Sequence, residues 1–208
     1  MAEQDIVAEW SQRVQALERQ VAAHARDHQA LNRELRKFSV LYNLALAMTA
    51  ERSLDDNLRL VVEGSRQLLD TDPAYLALHD RARGEVFMHT LSGIRTEAFR
   101  NMRLPVGKGL GGLVARSRRG MIVEDYLGER RLEHVVDHIV AAEGVVAGIA
   151  APSQLGESFL GVLYAFNRRP TAFAPEDLDT LTLIANLAAL EITRSRMQAH
   201  LQRTGEEL

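Results

Sequence analysis

The chain has no cysteine among its 208 residues. That excludes disulfides, thiolate metal sites, cysteine nucleophiles and thioether-attached cofactors. No apolar run approaches the roughly 20 residues of a membrane span. The opening Met1-Ala2-Glu3-Gln4-Asp5 places no basic segment ahead of an apolar one, so no secretory signal is read and a cytoplasmic location is expected. Basic residues are outnumbered, 25 Lys and Arg against 28 Asp and Glu, for a net charge of -3. That balance argues against broad binding to nucleic acid or anionic membrane, which needs a concentrated basic surface. Residues 4–49 also lack proline and glycine entirely, which removes the two strongest helix breakers from that stretch.

What that stretch has is a heptad seam: Val7, Trp10, Val14, Leu17, Val21, His24, His28, Leu31, Leu35, Phe38 and Tyr42. The spacings alternate four and three after the first pair, the narrow a/d pattern of a coiled coil. A helix of about 40 residues runs about 60 Å, more than a domain of this size can cover. A second copy is therefore the expected partner, with Arg13 at g and Glu18 at the following e positioned to pair across a parallel dimer. His24 and His28 interrupt the seam at consecutive d and a positions. They are register-fixing polar layers, or a point that weakens when both are protonated.

Beyond Ala50 the period changes. Ser53-Leu54-Asp55-Asp56 caps a helix ending at Asp70-Thr71-Asp72-Pro73. Strands are expected at 74–79 and 85–91, a short helix at 95–102, and a strand at Met121–Tyr126. A helix is expected over Arg131–Ala142, followed by strands at 145–153 and 159–166 joined by Gly156-Glu157-Ser158. Ala147, Gly148, Ala150 and Ala151 are small and predict room above the sheet. Pro175-Glu176-Asp177 opens a closing helix reaching about Arg203, with Leu183, Leu187, Leu190, Met197 and Leu201 as a second apolar seam. The fold class expected is α+β: an antiparallel sheet of about six strands with flanking helices, a long coiled-coil helix before it and a long helix after it. The boundaries read are 1–45 for the first helix, 46–193 for the domain and 194–208 for the helical extension.

The stretch Leu104-Pro105-Val106-Gly107-Lys108-Gly109-Leu110-Gly111-Gly112-Leu113-Val114-Ala115 runs from strand through a glycine corner into a helix. It lacks the GxxxxGK[ST] spacing of a phosphate loop, so nucleotide hydrolysis is not expected. His134 and His138 stand four apart, a spacing compatible with two metal ligands, but no HExxH accompanies them. Ser153 and Ser158 lie in a hairpin and not in a G-x-S-x-G elbow. No catalytic constellation emerges, and no enzyme activity, cofactor or metal is assigned.

Taken in order, the glycine corner, Met121–Tyr126, Ala150-Ala151-Pro152, Gly161–Tyr164, Asn167-Arg168 and Phe173–Asp177 resemble a GAF domain from about Leu41 to Met197. In detail Gly93–Asn101 and Asp125-Tyr126 are most similar to the GAF domains of PucR-type bacterial transcriptional regulators. The resemblance implies a six-stranded sheet, a ligand pocket on one face, and a small-molecule sensor coupled to a DNA-binding output. No helix-turn-helix pattern follows Pro175, so a segment of a longer regulator, or one acting on a partner, is expected, without nucleic-acid contact of its own. Cyclic-nucleotide GAF domains carry Asn-Lys, Phe and Asp-Glu. Here Arg168 and Leu178 depart from that set around Asn167, Phe173 and Asp177. Haem-binding members carry a histidine near the place of His138. The candidate ligand-facing set is Asp125 and Tyr126 at a strand end, which meet a polar ligand or serve a cap and turn, His134 and His138 on the helix beside the corner, and Tyr75, His89 and Tyr164 within strands, where parity leaves core and pocket both open. Against this small-molecule sensor stand a ligand-free dimerisation module and a haem-type redox or gas sensor.

Overall fold

The computed structural model describes residues 2–48 and 52–206. The change of period expected at Ala50 and the side chain of Val7 lie outside what is described. The chain divides into two units, Met1–Val40 and Leu41–Leu208.

The first unit is one helix. α1 (Ala2–Ala47) carries Trp10, Val14, Leu17, Val21, Leu31 and Leu35 half exposed or more. His28 reaches Asn32 through Nδ1 at 3.0 Å, an i,i+4 contact along the helix surface.

In the second unit, the last turn of α1 seats Leu44 against Gly64 of α2 (Leu54–Leu68). Ser53 caps α2 as read, its hydroxyl accepting the Asp56 amide at 3.2 Å. Then come β1 (Ala74–Asp80), β2 (Glu85–Ser92), α3 (Glu97–Arg100), β3 (Arg103–Pro105), α4 (Gly109–Ser117) and β4 (Met121–Val123). α5 (Asp137–Glu143), β5 (Ala147–Leu155), β6 (Ser158–Asn167) and α6 (Pro175–Glu206) complete it. The six strands form one sheet in the order β3-β2-β1-β6-β5-β4, every neighbouring pair antiparallel. This is the fold the sequence pattern implied.

Strand parity sorts the side chains onto two faces. Leu76, Ile149, Leu163 and Ala165 face α2 and α6, whose Leu58, Val61, Leu181, Ile184, Ala185 and Ile192 are buried. The Ser153 hydroxyl donates to the Ala185 carbonyl at 2.8 Å, and buried Asn57 donates to Glu191 at 2.8 Å. The opposite face carries Tyr75, Ala150, Val162, Tyr164 and Phe166 under α3, α4 and α5. α6 is thus apolar on two sides, for Leu183, Leu190, Met197 and Leu201 stay exposed opposite the stripe packed on the sheet.

Three readings are corrected. The helix expected from Arg131 begins at Asp137. Over 129–136 side chains hold the backbone in competition with helix: the Arg131 guanidinium and amide both bond Glu129, while His134 bridges Asp137 and the Glu129 carbonyl at 2.9 Å each. His134 and His138 therefore do not share a helix. β4 stops at Val123, where the chain bends away and Tyr126 turns into the core. The room predicted above β5 is filled, because a Cβ on Gly148 would stand 2.0 Å from the Phe166 ring.

Candidate functional site

The site grows from the sheet face that α4 covers. Tyr75 and Tyr164 are direct cross-strand partners on β1 and β6, so their rings stack, 4.3 Å between centroids and 20° between planes. Phe166 continues the slab at 6.0 Å from Tyr164. Phe99 of α3 meets Tyr75 edge-on at 5.1 Å, and Tyr126 closes on Phe166 at 6.1 Å. Met88, Met102, Leu104, Leu110, Val140 and Val145 complete a largely apolar cavity whose free volume is about 10 Å³. That is room for roughly one water.

The glycine corner explains how α4 comes so close. A Cβ at Gly111 would lie 1.7 Å from the Tyr164 hydroxyl, so any larger residue there collides with the phenol. That hydroxyl is buried and has no hydrogen-bond partner among the described residues. The Leu110 amide, one of the open donors of the first turn of α4, works against the burial that raises the Tyr126 pKa. Burial raises the pKa of Tyr75, Tyr126 and Tyr164 above the ordinary phenol value. The lining is therefore neutral: three phenols, apolar side chains and backbone.

Glu143, at the foot of α5, is 1% exposed. Its carboxylate accepts the Arg95 amide at 2.8 Å, the Thr96 amide at 2.9 Å and the Thr96 hydroxyl at 2.8 Å, and pairs with Arg168. Burial pushes its pKa up, but these four donors outweigh that and hold it below the ordinary value. Arg168 also donates to the Glu143 and Gly93 carbonyls at 2.9 and 2.8 Å. Asn167 accepts the Asp72 amide at 3.0 Å. The Asn-Arg pair thus ties β6 to the segment before β1 and to α3 and α5. The sequence did not reveal Glu143, whose partners lie 25 and 47 residues away.

Of the seven residues singled out by sequence, Tyr75, Tyr126 and Tyr164 line the cavity. His89 sits at the β1–β2 bulge on the other face, its Nε2 3.7 Å from Asp55. Asp125 is exposed in a broad depression with Glu124, Glu129 and Arg131. His134 and His138 are exposed. His134 has its pKa raised first by the bond to Asp137 and then by the Glu129 carbonyl. Among the described residues no cluster of three or more His, Asp or Glu side chains is placed to hold a metal, and no helix is long and apolar enough to cross a membrane.

A six-stranded antiparallel sheet, two helices behind it and an aromatic cavity under a glycine-cornered helix define a sensory α+β domain. The GAF domain model matches residues 53–192, and the chain belongs to the GAF family. Its sequence is similar to the HTH-type transcriptional activator RamA of Corynebacterium glutamicum, 35% identical over 72 residues, covering 35% of this chain and 26% of that protein. It is also similar to the Nif-specific regulatory protein of Herbaspirillum seropedicae, 24% identical over 164 residues, covering 77% of this chain and 30% of that protein. The chain thus spans under a third of either regulator. The GAF domain from a phosphoenolpyruvate-protein phosphotransferase of Coxiella burnetii superposes with a TM-score of 0.70 at 22% identity, over 80% of this chain and 98% of that one. That likeness concerns the fold.

Proposed function

We propose that this chain is a non-enzymatic sensory module whose aromatic cavity takes a small molecule and signals through α1 and α6 of a parallel homodimer to a transcriptional output. The observation that carries the reading is the Tyr164 hydroxyl, buried without a partner among the described residues at the wall of an apolar cavity. An unsatisfied buried hydroxyl costs about 1–3 kcal/mol, a cost relieved by a polar atom brought in on a ligand. Tyr75 and Tyr126 stand beside it. The exposed apolar stripes of α1 and α6 supply the surfaces for the second copy, and both sequence relatives are regulators by name. A ligand transmits a signal by fitting one packing of those helices better than another. The segment acts in the cytoplasm without touching membrane or nucleic acid itself.

The test is a thermal-shift screen of metabolites against the purified chain. A true ligand at 100 Kd adds about 2.7 kcal/mol of stability. One specific observation favours a second reading, a ligand-free dimerisation module: the cavity at rest holds no more than about one water. A chain that dimerises but is stabilised by nothing in the screen would leave that reading standing. A haem-type sensor fits the residues poorly, because His138 is exposed and the cavity lining contains no histidine.

A further inference from the structure

A second concavity lies at the end of the sheet where β1 turns into β2 and the β5–β6 hairpin folds back. Its volume is about 260 Å³, and its wall includes His79, Arg81, Arg118, Glu157, Phe159 and Arg196. Three arginines arrive there from three elements: the β1–β2 turn, the C-terminal cap of α4 and the middle of α6. None of the three makes an ion pair among the described residues, a state they share with Arg95, Arg116, Arg119 and Arg130, so it is their convergence on one wall that sets them apart. The nearby Asp80 carboxylate is engaged by the Ala82 and Arg83 amides at 3.1 and 3.2 Å. Glu157 is the one acidic side chain in the wall.

Arg118 is the most informative member. It stands in the left-handed region at φ 58°, a conformation that disfavours L side chains with a Cβ. A glycine would close α4 with less strain. Its guanidinium lies over the Phe159 ring at 4.4 Å, which holds it at the wall of the concavity. The His79 ring approaches Phe159 at 5.2 Å. Burial lowers the His79 pKa first, and the charge of Arg118 second.

We propose that this concavity binds a small phosphorylated anion, whose oxygens are shared by the guanidinium groups of Arg81, Arg118 and Arg196. Arginine suits the task because its planar fork matches phosphate oxygens in pairs. The concavity is recessed and local, and the chain as a whole is acidic, so a compact anion fits better than a polymer that needs an extended basic track. Because Arg196 rides on α6, a bound anion ties that helix to the sheet end and the α4 cap. The aromatic cavity is not involved, so this site stands apart from the sensory reading.

The test uses inorganic pyrophosphate as the probe, titrated into the full chain by calorimetry. Saturable one-to-one binding with Kd of about 1 mM or tighter is expected. Arg81→Gln and Arg196→Gln, both on exposed positions, each weaken it by about tenfold. Arg118→Gly does the same while keeping the left-handed turn, so loss there is not a folding defect. Arg59→Gln, on α2 and paired with Asp56, leaves affinity unchanged. In parallel, the His79 ring titrates at higher pH with pyrophosphate than without it. Absence of saturable binding, equal weakening by Arg59→Gln, or indifference to the three arginines would overturn the proposal. A chain that ignores pyrophosphate but binds an acidic peptide through the same arginines would overturn it too.

Discussion

A single hydroxyl separates Tyr164 from a well-packed core residue. The ring belongs to a three-membered aromatic slab, yet its oxygen is buried against the backbone of Gly111 with nothing to bond among the described residues. Tyr164→Phe removes the unsatisfied group and keeps the packing. Thermal melting is expected to show a gain of about 1 kcal/mol, while affinity for any stabilising metabolite falls. A variant that loses stability and binds unchanged would remove Tyr164 from the site. Gly111→Ala acts in the opposite sense: its methyl meets the phenol, costing about 1–3 kcal/mol by overpacking, as denaturant unfolding would measure. Strand alternation could not say whether Tyr75 and Tyr164 face the core or a pocket. With helices on both sides of the sheet, both parities of β6 are buried.

At the scale of elements, Glu143 joins four pieces of chain: α5, the Arg95-Thr96 turn that caps α3, the Gly93 carbonyl by way of Arg168, and the end of β6. Its pKa is depressed in the folded state. Its contribution is therefore complete above the ordinary value of 4.5 and is lost as pH falls below it toward the folded value. Melting temperature is expected to fall on acidification below that value in the wild-type chain. Glu143→Gln should be less stable at pH 7 by about 3 kcal/mol, because the half-buried Arg168 loses its ion-pair partner, and its acid limb should be flatter. Hairpins, caps and the closing helix were legible because their signals are local: turn residues, an N-cap serine, a proline at the first helical position. The start of α5 was not. Apolar spacing over 131–142 reads as helix, while Glu129, Arg131 and His134 spend their side chains on a bonded loop that no periodicity reveals.

For the whole molecule, the question is what covers the apolar stripes. On α1 they run through Trp10, Val14, Leu17, Val21, Leu31 and Leu35. Leu17→Asp or Leu31→Asp places a charge in the seam of the proposed dimer. Sedimentation is expected to show monomer where the wild type sediments as dimer, with the circular dichroism of the GAF domain retained. A wild-type chain that sediments as monomer would refute that assembly. The a/d spacing was legible in sequence because only His24 and His28 break its apolar run and no proline or glycine falls within it. The resemblance implied a pocket on one face of the sheet but not its aromatic lining, and the cavity's size depends on how far α4 descends onto Tyr164.

α6 packs Ile184, Ala185, Ala188 and Ile192 onto the sheet and carries Met197 and Leu201 outward on the same rod, with no proline or glycine from Glu176 to Thr204. Such a helix works as a lever arm with its fulcrum on the sheet. At about 1.5 Å per residue, a tilt of roughly 5° about Ile192 swings the far end near residue 206 by about 2 Å. A displacement too small to notice beside the domain thus becomes, at the tip, a large fraction of the width of one side chain.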